Sequence, residues 1–141
     1  MSTELSVHAV HEGDMRIVAS GAEHTLRMDY PLQPGDKMTG LRPLEVLLAS
    51  LAGCSGNALA LLLRRLRQPV QGLEVNVRGT RRDEHPTVFT AITLEIVLHG
   101  KGIDSAVVTR AMAQAEERIC PVWIMLKAGT PITSSFRIIE E

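Results

Sequence analysis

Aromatic side chains are scarce in this sequence of 141 residues, which contains one Trp, one Tyr and two Phe. Because 45% of the residues are nevertheless hydrophobic, the core has to be built from aliphatic side chains and methionine. A domain of this length buries roughly two thirds of the surface that its unfolded chain exposes, which is enough for a real core. The composition therefore predicts one globular domain over residues 1–141.

The sequence also lacks an excess of charge of either sign. Fifteen Lys and Arg against sixteen Asp and Glu give a formal net charge of −1. Such a chain offers no net attraction to the phosphates of a nucleic acid, so a nucleic-acid partner is disfavoured.

A basic segment leading into an apolar region is missing from the N-terminus, MSTELSVHAV. The longest apolar run, 46–63, is too interrupted to read as a membrane span, since it contains Ser50, Gly53, Ser55, Gly56 and Asn57. We therefore expect a cytoplasmic protein that is neither secreted nor inserted in a membrane.

Cysteine is rare, with only Cys54 and Cys120 in the chain. In a reducing compartment, two widely separated cysteines are more often free or catalytic thiols than a structural bridge. The five histidines show no HExxH spacing and there is no CxxC pair, so neither a metal nor another cofactor is expected.

Short β-branched runs open the chain. LSVHAVH, MRIVAS and HTLRMDY are separated by the turn sequences EGD and GAE, which predicts an antiparallel meander. PLQPGDKMTG then reads as a loop, because its prolines and glycines disfavour a regular element.

A long apolar helix is predicted to begin near Pro43 and to end before Pro69. Glu45 near its start and the arginines of RRLR near its end suit the helix dipole. Because the stretch between them is nearly free of charge, we expect this helix to be surrounded on most sides. A chain of this size cannot cover it alone, so a second copy is expected to do so.

The second half of the chain predicts a hairpin, helices and a last strand. GLEVNVRGTRRDE and TVFTAITLEIVLHG form the hairpin, with Leu73, Val75 and Val77 facing inward. DSAVVTRAMAQAEERI is helical, capped by Asp104 or Ser105. CPVWIMLKAG restarts as a short helix, and TSSFRIIEE closes as a strand. The buried face of the middle helix is predicted to carry Val108, Met112, Ala115 and Ile119. The fold class is α+β, with antiparallel sheets, a long central helix and a second helix.

The run LASLAGCSGNALALLL raises the question of why a leucine-rich helix has small residues, Gly, Ser and Ala, around its thiol. One interpretation is a tight helix crossing with Cys54 as a small buried hydrophobe. The other is that the small residues leave room for a substrate at a reactive sulfur. Cys120, directly before Pro121, is predicted to cap the next helix, where the dipole stabilises a thiolate, so local sequence predicts it to be the more acidic thiol.

Two segments carry a family resemblance: PLEVLLASLAGCSGNALALLLRRL, and VRGTRRDEHPTVFTAITLEIVLHGKGIDSAVVTRAMAQAEERICPV. They resemble the OsmC/Ohr superfamily of osmotically induced and organic-hydroperoxide-resistance proteins, most closely its YhfA-like branch. The signature is a Cys after LAG in a long apolar helix and a second Cys in a CP pair after a helix ending in AEE. The resemblance implies an OsmC-like fold and an intertwined homodimer with two sites at the subunit boundary.

The resemblance further implies a thiol peroxidase without metal, flavin or haem. Cys54 matches the peroxidatic cysteine, whose thiolate attacks a hydroperoxide and becomes a sulfenic acid. Cys120 matches the resolving cysteine, which forms a disulfide with it that an external dithiol later reduces.

The family also uses a Glu and an Arg to activate the thiol. Glu45 lies nine residues before Cys54, which corresponds to about 180° of rotation and roughly 13 Å of rise on a straight helix, so it would have to act from an irregular start or from a second subunit. The alternative interpretation is that Glu45 is a negative charge in the first turn of the helix, where the helix dipole favours it. Arg16 is the first candidate for the activating arginine and Arg27 is the second. The alternative interpretation of each is a solvated residue on a strand.

A non-enzymatic function is the alternative prediction. In it the chain is an OsmC-like dimer whose apolar helix binds a hydrophobic small molecule, and both cysteines are inert. A Glu and Arg pair that activates the thiol is the sequence feature that would favour the peroxidase over this binding function.

Overall fold

The computed structural model describes residues 3–141, which form two compact units that divide after Leu47. The first unit contains strands β1 (His8–His11), β2 (Ile17–Gly21) and β3 (His24–Met28) and the start of helix α1 (Pro43–Arg65). The second contains the rest of α1, strands β4 (Gly72–Arg81), β5 (Phe89–His99) and β6 (Ile132–Ile139), and helices α2 (Ser105–Gln114) and α3 (Pro121–Lys127). The predicted α+β class is confirmed.

The three strands of the first unit pair in the order β1-β2-β3 and are antiparallel, as the turn sequences predict. Gly21 pairs with His24, so β2 and β3 are joined by the two residues Ala22 and Glu23. Both have positive φ, 50° and 65°. Positive φ at both turn residues is the backbone conformation that lets a two-residue hairpin turn match the twist of its strands.

The loop between β3 and α1 is organised by the buried carboxylate of Asp29. It accepts hydrogen bonds from the backbone N–H of Thr39 (3.0 Å), the backbone N–H of Tyr30 (2.8 Å) and the Thr39 hydroxyl (3.1 Å). The bond from the Thr39 N–H is the main reason that the pKa of Asp29 lies below its ordinary value. The carboxylate thereby stabilises the conformation of the loop that precedes α1.

Helix α1 begins at Pro43 and ends at Arg65, inside the predicted limits. Its length and composition would suffice to cross a membrane, a property that core helices of soluble proteins share. Only 33% of its most apolar stretch is buried within the chain. One copy therefore leaves most of this stretch uncovered, which agrees with the prediction that a single chain cannot cover the helix. The buried positions form one face, Leu51, Ser55, Gly56, Ala58, Leu59, Leu62 and Leu63.

The second unit is a sheet of order β4-β5-β6 with helices packed on it. β4 and β5 form the predicted antiparallel hairpin, and Leu73, Val75 and Val77 of β4 alternate with exposed residues and pack on the core. β6 lies parallel to β5, from the pair Ile92 and Ile132 to the pair His99 and Ile139. Parallel neighbours need a crossover connection, which α2 and α3 supply. The prediction of purely antiparallel sheets is therefore wrong for this one pair.

Asp104 rather than Ser105 caps α2. Its side chain accepts a hydrogen bond from the Ala106 N–H at 2.9 Å. Replacing Asp104 with Ala is expected to lower the free energy of unfolding by about 1 kcal/mol, because the N–H loses its partner. Ser105→Ala is the matched control and should change it by less than about 0.5 kcal/mol. Urea unfolding of both variants measures the difference, and equal effects would contradict the assignment.

Candidate functional site

Cys54 lies in the middle of α1, partly exposed, with its side chain packed against the core. The two glycines near it have different surroundings. A Cβ on Gly56 would lie 3.1 Å from Cγ2 of Val75, whereas a Cβ on Gly53 would meet no described atom within 4 Å. Gly56 is therefore explained by close packing of α1 on β4, and Gly53 leaves open space beside the cysteine. The close approach at Gly56 is thus to a strand rather than to another helix, and a substrate beside Gly53 stays a prediction.

Cys120 is held in the core by a change of helical period. After α2, residues Ala115–Ile119 form a π-helical turn, and the Cys120 N–H bonds to the carbonyl oxygen of Ala115 at 2.9 Å. The extra residue in this turn shifts the buried face by one position. Val108, Met112 and Ala115 are buried as predicted, but Ile119 is 41% exposed and Cys120 is fully buried in its place. The prediction for Ile119 is wrong because it assumed an uninterrupted α-helical period.

The two cysteines belong to one packed cluster. Both are free thiols, and the side chain of Cys54 is one of the groups that raise the pKa of Cys120. Cys120 also caps α3, as predicted, and its sulfur accepts a hydrogen bond from the Trp123 N–H at 3.4 Å. A second backbone N–H, from Val122, also favours the thiolate of Cys120. Two thiols close enough for one to shift the pKa of the other can react with each other once one of them is oxidised.

The prediction that Cys120 is the more acidic thiol fails. Burial, together with the hydrogen bond to Cys54 and the negative charge that Cys54 can carry, raises the pKa of Cys120 to about 11. The backbone N–H groups of Trp123 and Val122 act in the opposite direction and are outweighed. Sequence alone shows the helix start but not the burial. At neutral pH Cys120 is therefore a protonated hydrogen-bond donor.

Iodoacetamide at pH 8 is expected to alkylate Cys54 in preference to Cys120 in the folded, reduced protein. Cys120 is fully buried, and its raised pKa leaves few thiolates at this pH. Raising the pH toward 11 should increase the share of Cys120 that reacts. Peptide mass spectrometry measures the ratio, and protein unfolded in urea serves as the control in which both thiols react. Preferential labelling of Cys120 in the folded protein would contradict this assignment.

Glu45 has local partners at the start of α1. Its Oε1 accepts hydrogen bonds from the backbone N–H of Arg42 at 2.9 Å and from Nη1 of Arg42 at 3.2 Å. The backbone bond is the main reason that the pKa of Glu45 lies below its ordinary value. The guanidinium of Arg42 also lies over the Tyr30 ring, 5.9 Å from its centroid. Sequence reasoning missed Arg42, although its position three residues before a first-turn Glu is the signal of a capping contact.

The two candidate arginines each form an ion pair within the first unit. Nη1 of Arg16 lies 3.1 Å from Asp14, and Nη1 of Arg27 lies 3.1 Å from Glu12. Arg16 also helps to keep the pKa of Asp29 low. The activating roles of Glu45 and Arg16 stay predictions.

Sequence reasoning also missed Trp123. A cysteine before a proline predicts a cap, and the cap side chain usually accepts from the second or third N–H of its helix. That rule identifies Val122 and Trp123, the two residues whose N–H groups favour the Cys120 thiolate.

An open groove of about 480 Å³ lies in the same unit. Neither cysteine is among its lining residues, which are Ala60, Arg64, Gln68, Val70, Gln71, Gly72 and Leu73.

One thiol thus lies on the long helix α1 and the other at the start of the short helix α3. Comparison with known proteins then identifies the family. The family model described as OsmC-like protein matches residues 34–135. The chain belongs to the OsmC-like family. Protein YhfA of Escherichia coli strain K12 is 33% identical over 128 residues, which cover 91% of this chain and 92% of that protein.

Solved structures of other proteins share the fold. A hypothetical protein from Aquifex aeolicus VF5 superposes with a TM-score of 0.88 at 24% identity, covering 99% of each chain. The organic hydroperoxide resistance protein OhrB of Bacillus subtilis superposes with a TM-score of 0.69 at 19% identity, covering 96% of this chain and 98% of that one. These structures show a shared fold, and the family assignment made from the two sequence segments is confirmed by the family model and by YhfA.

Proposed function

We propose that this OsmC-like protein is a thiol peroxidase that reduces organic hydroperoxides with Cys54 and Cys120. The observation that carries the proposal is that the two thiols share one packed cluster, where the partly exposed Cys54 helps to raise the pKa of the buried Cys120. Membership of a family that includes hydroperoxide-resistance proteins supports the same chemistry.

In the first step the Cys54 thiolate attacks the distal oxygen of the hydroperoxide. An S–O bond forms, the O–O bond breaks, and the departing alkoxide takes a proton and leaves as an alcohol. Cys54 becomes a sulfenic acid. The Cys120 thiol, kept protonated by burial, stabilises the attacking thiolate by donating its hydrogen bond.

In the second step the sulfur of Cys120 attacks the sulfenic acid of Cys54. An S–S bond forms, the S–O bond breaks, and the hydroxyl leaves as water with the thiol proton of Cys120. The Val122 and Trp123 N–H groups favour the negative charge that develops on Cys120 as its proton departs. An external dithiol then reduces the disulfide and restores both thiols.

Steady-state consumption of cumene hydroperoxide with dithiothreitol as reductant tests the proposal. We expect turnover that is proportional to enzyme concentration and that exceeds the uncatalysed reaction with dithiothreitol. Protein whose thiols have been blocked with N-ethylmaleimide is the control. The proposal is wrong if blocked and unblocked protein consume the peroxide at the same rate, and the non-enzymatic binding function would then be preferred.

We further propose that the protein is a cytoplasmic homodimer whose copies meet at α1. Its outward face is apolar or small at many positions, and Leu61 is 44% exposed. Leu61→Asp is expected to shift the sedimentation coefficient at micromolar concentration from that of a dimer to that of a monomer. Val88→Asp, at an equally exposed apolar residue between β4 and β5, is the control. A wild-type protein that sediments as a monomer would contradict the dimer.

A further inference from the structure

The open groove lies where the end of α1 meets the start of β4. Its volume of about 480 Å³ falls within the range of small-molecule sites. Its polar side chains belong to one arginine and two glutamines, Arg64, Gln68 and Gln71, and its apolar side chains to Ala60, Val70 and Leu73. Among the described residues that line it, none is acidic. The groove therefore combines one positive charge and two carboxamides with an apolar wall.

The loop that forms one side of the groove is fixed by hydrogen bonds at both of its ends. The Gln68 N–H donates to the carbonyl oxygen of Leu63 at 2.9 Å, and the Gln71 N–H donates to the carbonyl oxygen of His99 at 2.7 Å. The side chain of Gln68 is also held, because its Oε1 accepts the Asp104 N–H at 2.8 Å. A ligand thus meets a wall that is already ordered, which lowers the free-energy cost of binding.

Arg64 brings a positive charge that no acidic side chain balances within residues 3–141. Five other arginines of the chain each lie 3.8 Å or less from a carboxylate, and Arg64 is not among them. The last carbonyls of α1 accept the backbone N–H groups of Leu66, Arg67 and Gln68. A guanidinium binds a carboxylate through two parallel hydrogen bonds, so an unpaired one beside an apolar wall suits an organic acid.

We propose that this groove binds a small organic carboxylate with an aliphatic body. The carboxylate pairs with the guanidinium of Arg64, and the body packs on Val70 and Leu73. One guanidinium balances the single charge of a carboxylate. The site goes beyond the proposed peroxidase, because neither Cys54 nor Cys120 lines the groove.

Titration of the reduced, full-length, ¹⁵N-labelled protein with sodium hexanoate tests the site. The amide NMR signals of Gln71, Gly72 and Leu73 are expected to shift saturably, with a Kd of about 1 mM or tighter. Acetate keeps the charge but lacks the aliphatic body, whereas hexanamide keeps the body but lacks the charge. Each of these two probes should bind at least about 10-fold more weakly than hexanoate.

Arg64→Gln removes the charge from an exposed position, so the protein should stay folded. It is expected to weaken hexanoate binding at least about 10-fold, because a hydrogen bond to a charged group is lost. Arg65→Gln is the matched control. Arg65 is the next residue of the same helix end and is also exposed, but it does not line the groove, so this variant should bind within about twofold of wild type.

Three results would overturn the proposal. They are no saturable shift in wild type, equal binding of hexanoate and hexanamide, and an equal loss of binding in Arg64→Gln and Arg65→Gln. The first would also be seen if a second copy of the chain covered the groove, and the last would indicate a general attraction of anions to the arginines at the end of α1. Circular dichroism checks that both variants are folded. No peroxide is present in the titration, so its result is independent of whether the protein is a peroxidase.

Discussion

Cys54→Ser is expected to lower the rate of cumene hydroperoxide reduction by at least about 10³-fold, the size of effect seen when a covalent nucleophile is removed. Serine keeps nearly the same volume, but its hydroxyl is not a nucleophile at neutral pH without an adjacent base. Steady-state assays with dithiothreitol measure the loss.

Cys120→Ser is the matched comparison, because it removes a thiol from the same contact and leaves the attacking sulfur in place. A single-turnover experiment should show that this variant still consumes one equivalent of peroxide per chain, whereas Cys54→Ser consumes none. If Cys54→Ser retained turnover, Cys54 would have no part in the mechanism.

The second large effect concerns the fate of the oxidised sulfur. Wild-type protein treated with one equivalent of hydroperoxide is expected to form one intramolecular disulfide between Cys54 and Cys120. The two residues lie in one packed cluster and Cys54 influences the pKa of Cys120, so condensation should outrun further oxidation. Intact-protein mass spectrometry detects this product as the loss of two hydrogen atoms.

Without Cys120 the sulfenic acid has no neighbouring thiol. When a second equivalent of hydroperoxide is supplied, Cys120→Ser should therefore be oxidised further to the sulfinic acid on Cys54, seen as the gain of two oxygen atoms, and stop after its first cycle. A wild-type protein that gives only the sulfinic product would show that the two sulfurs do not form a bond, and would favour the binding-module alternative.

Most of the fold follows from local signals. Pro43 and Pro69 bracket α1, and the alternation of Leu73, Val75 and Val77 predicts β4, because each of these signals acts through the backbone of the same element. The parallel direction of β6 could not be predicted in this way. It depends on where α2 and α3 return the chain, which is a property of tertiary packing.

The sequence names Cys54 and Cys120, which lie in one packed cluster, but it does not predict their electrostatics. The position of Cys120 at a helix start predicts an acidic thiol, whereas its pKa is raised to about 11. Burial outweighs that position, and the burial arises from the π-helical turn that replaces Ile119 by Cys120 on the inner face. A change of helical period leaves no clear mark in the residue pattern, so a sequence argument places Ile119 in the core.

The scarcity of aromatic residues acquires an experimental use through Trp123. It is the only tryptophan of the chain, its indole is fully buried, and its own backbone N–H bonds to the sulfur of Cys120. With one Tyr and two Phe elsewhere, nearly all ultraviolet-excited emission of the protein originates from this single indole. Thiol, sulfenic acid and disulfide at the neighbouring sulfurs present different electronic surroundings to that fluorophore. The protein thus carries its own optical reporter, and stopped-flow fluorescence can follow each oxidation and reduction in real time without a label.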